Sequence, residues 1–101
     1  MQVELELGVA LYAFFPLVSV LAAEIAVGTF LKQSQLRIMG ANADTQDQEK
    51  TIVILDLVPL GQKFDNTTAF LIFERFWRKK VIINGTLFGN YWVILLSYPG
   101  A

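Results

Sequence analysis

The first twelve residues, MQVELELGVALY, alternate strictly. Val3, Leu5, Leu7, Val9 and Leu11 share one face, while Gln2, Glu4, Glu6, Gly8, Ala10 and Tyr12 share the other. A strand turns successive side chains to opposite faces, so period two with charge on one side predicts a half-buried β-strand over 1–12. A membrane helix would not be built that way. This matters because residues 8–31, GVALYAFFPLVSVLAAEIAVGTFL, carry a single charge, Glu24, and in isolation read as a membrane span. Once the strand has claimed 8–12, about sixteen residues remain for a helix from Pro16 to Leu31. That is roughly 24 Å at 1.5 Å per residue, against a hydrocarbon core of ~30 Å. The stretch divides into the end of a strand and a short helix.

Pro16 fits the first turn of that helix, where a missing N–H costs nothing. Leu17, Leu21, Ala22, Ile25 and Phe30 offer an apolar side, with Ser19 and Glu24 leaning toward water or a helix end. A second strand is expected over 35–43, ending at a bulge or turn at Gly40, and a polar loop, DTQDQEK, over 44–50. TIVILDLVPL (51–60) is a third strand whose near-continuous apolar run suggests an inner position. Asp65 or Asn66 is the expected N-cap of a second helix. In it Ala69, Ile72, Phe73 and Phe76 recur at helical spacing, while Glu74, Arg75 and Arg78 point away. Residues 81–89 are ambiguous between a short strand and an irregular link, with Asn84-Gly85 as a turn signal, and 90–98 is the last strand before Pro99-Gly100.

The order strand, helix, strand, strand, helix, strand predicts an α+β fold of the ferredoxin-like, split βαβ kind (βαββαβ). Its four-stranded antiparallel sheet carries both helices on one face. Right-handed crossovers bring the first and third strands together at the centre. The whole chain, 1–101, is one domain.

With no cysteine and no histidine, the chain lacks the usual zinc ligands, Cys-His and Ser-His-Asp catalysis, and redox dithiols. A net charge of −1 removes the footprint of a nucleic-acid binder, which must neutralise several phosphates. The basic run Arg78-Lys79-Lys80 is explained by a helix C-terminus, where cations meet the negative end of the dipole. Asp44, Asp47 and Glu49 miss the ligand spacing of a calcium loop and read as a solvated hairpin. Asp56, within an apolar strand and without a visible partner, reads as paired or on an exposed face. No metal, cofactor or catalytic residue is expected, and the chain is not expected to be an enzyme.

What remains points to contact rather than chemistry. Asn66-Thr67-Thr68 and Asn84-Gly85-Thr86 are N-glycosylation sequons, the first equally explained as a helix cap. Phe70, Phe73, Phe76 and Trp77 could form an aromatic platform, although core packing accounts for Phe73 and Phe76. On the last strand, Tyr91 and Trp92 are candidate partner contacts. A sheet face left uncovered by helices would suit partner binding or pairing of sheet to sheet.

The segments LKQSQLRIMGANA (31–43), LVPLGQKFDNTTA (57–69) and FGNYWVILLSYPG (88–100) resemble the extracellular domain of plant receptor-like serine/threonine kinases of the abnormal-leaf-shape type, and the opening 26 residues look like the start of that domain. The resemblance runs in order through essentially the whole chain. It implies an ectodomain that precedes a proline-rich stretch, one transmembrane helix and a cytoplasmic kinase acting in shoot and epidermal development. It implies no kinase activity here, because the Gly-rich loop and the catalytic and metal-binding Asp motifs are missing. The family usually has acidic residues where Asn90 and often Trp92 stand, and near Val20, so this copy is the more apolar. The expectation is a non-enzymatic extracellular recognition domain. It would sit at the plasma membrane within a full receptor, or be secreted if the chain ends here. Its partners would be a protein or peptide ligand or a co-receptor, or a second copy through the sheet face or edge. A small intracellular regulatory domain that dimerises and binds a metabolite is the alternative.

Overall fold

In the computed structural model, which describes residues 1–98, the alternating start forms strand β1, Gln2–Leu7. Val3, Leu5 and Leu7 are fully buried, and Glu4 and Glu6 are half-buried on the opposite face. The strand is shorter than the pattern that announces it. Gly8 N–H donates to Asn90 O at 2.9 Å, and then Ala10, still extended, caps helix α1, Leu11–Phe14. The amides of Ala13 and Phe14 both donate to Ala10 O. Leu-Tyr-Ala-Phe takes helical geometry once the ladder ends, so Val9 and Leu11 continue the alternation without continuing the strand.

Pro16 does not start the helix either. It sits in a 3-10 turn, Phe15–Leu17, where its missing N–H interrupts the i→i−4 ladder, and helix α2 follows at Val18–Thr29. The helical run is therefore Leu11–Thr29, nineteen residues, long and apolar enough by length and composition alone to cross a membrane. Here it lies on the sheet, burying Phe14, Leu21, Ala22, Ile25 and Ala26, while Tyr12, Phe15 and Val27 stay exposed. Glu24 is more than a surface charge: its Oε1 accepts from Asn84 N–H at 3.1 Å, joining α2 to the segment before β4. Phe30, expected on the apolar side, is exposed and left-handed at φ 61°.

Strand β2, Leu36–Ala43, passes through Gly40 rather than ending there. A bulge between Ile38 and Gly40 leaves Met39 as the extra residue. Strand β3, Thr51–Leu57, buries Thr51, Val53, Leu55 and Leu57. Helix α3 is Asn66–Trp77 and strand β4 is Tyr91–Ser97; Pro99 and Gly100, expected to end that strand, lie outside the described residues. The sheet order is β2-β3-β1-β4, every neighbour antiparallel, which is the order a split βαβ arrangement requires. Both central strands are the ones expected there.

Asp65 is the N-cap of α3, accepting from Thr68 N–H at 2.6 Å. That bond, with the Thr68 hydroxyl adding to it, holds the Asp65 carboxyl below the usual carboxylate value of 3.8. A carboxyl with a depressed folded pKa contributes stability above its unfolded pKa and loses it as pH falls through the folded value. Unfolding measured against pH should show this contribution vanish below about pH 4. Asp65→Asn keeps the capping oxygen, so it should flatten that part of the profile and leave the neutral-pH fold intact. An unaltered acid profile would assign the loss to other carboxylates.

Along α3, Ala69, Ile72 and Phe76 are buried, but Phe73 is largely exposed. Arg75 does not point away. Its Nε donates to Gly28 O at 2.7 Å and its guanidinium lies 4.8 Å from the Phe30 ring centroid, at the negative end of α2. The helix ends with Lys79 left-handed at φ 54°, Lys79 N–H bonding to Phe76 O and Lys80 N–H to Arg75 O, a Schellman close without glycine. Of the basic run, Arg78, the C-cap, pairs at 2.6 Å with Glu74.

The ambiguous 81–89 link is a short helix, α4, Gly85–Phe88. Asn84 Oδ1 caps it by accepting from Thr86 N–H and Leu87 N–H. Phe88 is fully buried, its ring centroid 6.4 Å from that of Phe14. A Cβ on Gly28 would stand 2.7 Å from Val81 Cγ1 and 3.0 Å from its Cα, so α2 meets this segment almost backbone to backbone.

Candidate interaction surface

One face of the sheet carries the helices and the core; the other is open. Register puts three rows across the open face. Asn42, Ile52, Glu6 and Trp92 form the first, Gly40, Ile54, Glu4 and Leu95 the second, and Arg37, Asp56, Gln2 and Ser97 the third. The two edge strands are both bulged, β2 at Met39 and β4 at Ile94. Met39 and Ile94 are exposed, and the bulge in β4 turns Leu95 to the open face beside Ile94. Met39, Ile94, Leu95 and Trp92 thus stand in water beside half-buried Ile52 and Ile54. Asp56 lies on this face opposite Arg37.

Trp92 stands on this face with 44% of its area exposed. Lys50 Nζ lies 5.0 Å and Lys79 Nζ 5.2 Å from its ring centroid, and Lys50 also reaches Glu6 at 3.4 Å. Two cations near one indole hold it in place at modest energy, about 0.5–1 kcal/mol each at exposed sites. Large amphipathic side chains that are already ordered lose little entropy on binding, which is what a contact residue needs.

Tyr91, the other candidate contact, faces away from this surface. One position along β4 reverses the face, and its side chain is buried in the core. Its hydroxyl donates to Val81 O at 2.6 Å, and burial pushes the phenol pKa up.

Asn66 and Asn84 are both on the surface, at the first position of α3 and at the cap of α4. Asn84 engages its Oδ1 only, and neither side-chain nitrogen is a donor in any hydrogen bond among the described residues. The acidic loop closes on itself: Asp44 Oδ1 accepts from Gln46 N–H and Asp47 Oδ1 from Glu49 N–H. Those turns hold the Asp44 carboxyl below its usual range, chiefly through the Gln46 amide. Among the described residues no group of three or more metal-ligating side chains converges.

A feature the sequence reading passed over is a cleft of about 370 Å³ between α3 and β4, lined by Met1, Asn66, Phe70, Phe73, Leu96 and Tyr98. The signal was present in the spacing of Phe70, Phe73 and Trp77, which is helical but offset from the buried positions.

No solved structure matches this chain. The receptor-like serine/threonine-protein kinase ALE2 of Arabidopsis thaliana is 56% identical over 100 residues, covering 99% of this chain and 13% of that protein. The chain thus spans about an eighth of the length of the relative it matches. The model of the receptor-like protein kinase ALE2 N-terminal domain matches residues 1–101. The chain belongs to that family, the N-terminal domains of ALE2-type receptor-like protein kinases.

Proposed function

We propose that this chain is a non-enzymatic extracellular recognition domain of a receptor-like serine/threonine kinase in developmental signalling, binding a protein or peptide ligand or a co-receptor through the open face of its sheet. The observation that carries the reading is that face: Trp92, Ile94 and Leu95 are exposed on one edge strand and Met39 on the other, with half-buried Ile52, Ile54, Glu4 and Glu6 on the strands between them. Aromatic side chains and Met are enriched in protein contacts relative to the rest of a surface. Family membership supports placing it ahead of a membrane-anchored kinase, while any kinase activity belongs to other parts of such a protein.

In this reading Asn66 and Asn84 carry N-glycans, and the domain stands outside the plasma membrane, or is secreted on its own. Passage of the chain through the plant secretory pathway tests it. A glycosidase-sensitive mass increase is expected, and Asn66→Gln and Asn84→Gln should each remove one step of it. An unmodified cytosolic product would sink the receptor reading and favour an intracellular regulatory module.

A further inference from the structure

We propose that helix α3 and strand β4 form the contact between two copies of this chain, related by a two-fold axis that packs α3 antiparallel on α3 and brings β4 antiparallel to β4. The inference goes beyond the recognition reading and does not rest on it; it concerns the chain without a glycan at Asn66, since a glycan there would stand at the end of the contact.

The two flanks of α3 differ. Arg75 reaches Gly28 O, so its flank faces α2. On the opposite flank Asn66, Phe70, Phe73 and Trp77 follow at steps of four, three and four, the repeat of a helix seam. Phe70 and Trp77 are each 65% exposed and Phe73 42%, with Phe73 and Trp77 stacked at 6.2 Å. The cleft beneath this seam opens onto Leu96 and Tyr98 beside β4. β4 itself, YWVILLS, has no charge and no proline, and among the described residues nothing pairs with its outer side. Edge strands of monomers are normally protected by charge, proline, bulges or cover. The other edge, β2, has Arg37; β4 has only its bulge.

One axis serves both elements. Asn66 and Phe70 face Ser97 and Tyr98 across the cleft, and Lys79, just past the helix end, has its Nζ 5.3 Å from the Tyr91 ring centroid. Helix and strand therefore run antiparallel over the same length, so the turn at Phe73–Glu74 stands beside Ile94, the middle of β4. Phe70 and Trp77 are symmetric about that turn. A two-fold there sets Phe70 of each copy against Trp77 of the other. Glu74, near the axis, is already paired with Arg78, and Lys79 of each copy meets the Asp65-capped end of its partner, which is opposite in charge.

Area argues that both elements are needed. A buried aromatic side chain accounts for ~150–250 Å², so three at these exposures offer roughly 300 Å² per copy. A stable interface takes about 800 Å² per partner. The strand edge and the cleft residues must supply the remainder, and a second copy offers the same uncharged surfaces in return.

The test is sedimentation equilibrium of the unglycosylated 101-residue chain over a range of protomer concentration. The mass is expected to rise from 11.3 kDa toward twice that value. Phe70→Glu and Trp77→Lys, both at exposed positions, should each weaken the dimer by at least about tenfold while leaving the circular dichroism unchanged. The double variant sets opposite charges against each other twice across the axis, and should regain about tenfold over either single variant. A wild-type chain monomeric at every concentration, or a dimer indifferent to both single changes, overturns the proposal. A double variant no tighter than the singles overturns the antiparallel register.

Discussion

Gly89→Ala is expected to remove about 3–5 kcal/mol of stability, combining backbone strain with a steric clash. Gly89 sits at φ 66° and ψ −160°, a region that side-chain-bearing residues avoid, and a Cβ there would stand 2.5 Å from Gly8 O. Neither partner can give way, because Gly8 N–H holds Asn90 O in the last bond between β1 and β4. A domain of this size has a total stability of about 5–15 kcal/mol, so the change could empty the native state at physiological temperature. Gly40→Ala is the control: nothing lies within 4 Å of its would-be Cβ and its φ is not positive, so it should stay within about 0.5 kcal/mol of wild type. Urea midpoints at constant m-value measure both. Equal effects would show that Gly89 is an ordinary loop glycine.

The importance of Gly89 was hidden in the sequence for a physical reason. Gly-Asn-Tyr reads as a turn before a strand, but the constraint comes from Gly8, eighty-one positions away. Sequence periodicity reports which face a residue prefers, and so Val3, Leu5, Leu7, Ala69 and Ile72 were all legible as core. It also gave the element order, and with it the two central strands. Where an element stops was less legible, because ends depend on partners. β1 ends where Asn90 supplies its last bond, and Pro16 breaks a helix that already began at Leu11. Gly40 does signal the bulge in β2, where Met39 is the extra residue, but the bulge in β4 has no such marker. One extra residue at Ile94 is invisible in an apolar run, yet it turns Leu95 to the open face. Of the two candidate contacts, Trp92 is exposed, whereas its neighbour Tyr91 belongs to the core.

The phase of α3 gives the last prediction. Phe73 and Phe76 look alike in sequence, both aromatic and both near positions that recur with Ala69 and Ile72. On the helix they differ. At 100° per residue Phe76 lies 20° from Ala69, between it and Ile72, whereas Phe73 is displaced 40° to the other side of Ala69. Phe76 is fully buried; Phe73 leans out against Trp77. Phe76→Ala should therefore cost about 3–5 kcal/mol, by lost transfer energy and the cavity left among packed neighbours. Phe73→Ala, which leaves no enclosed void, should cost no more than about 1 kcal/mol in the monomer. Thermal and denaturant unfolding of the two variants separates core packing from seam packing on one helix. If Phe73→Ala proved as destabilising as Phe76→Ala in the monomer, α3 would be rotated from its described position and its aromatic flank would be core, with no seam left to face a second copy.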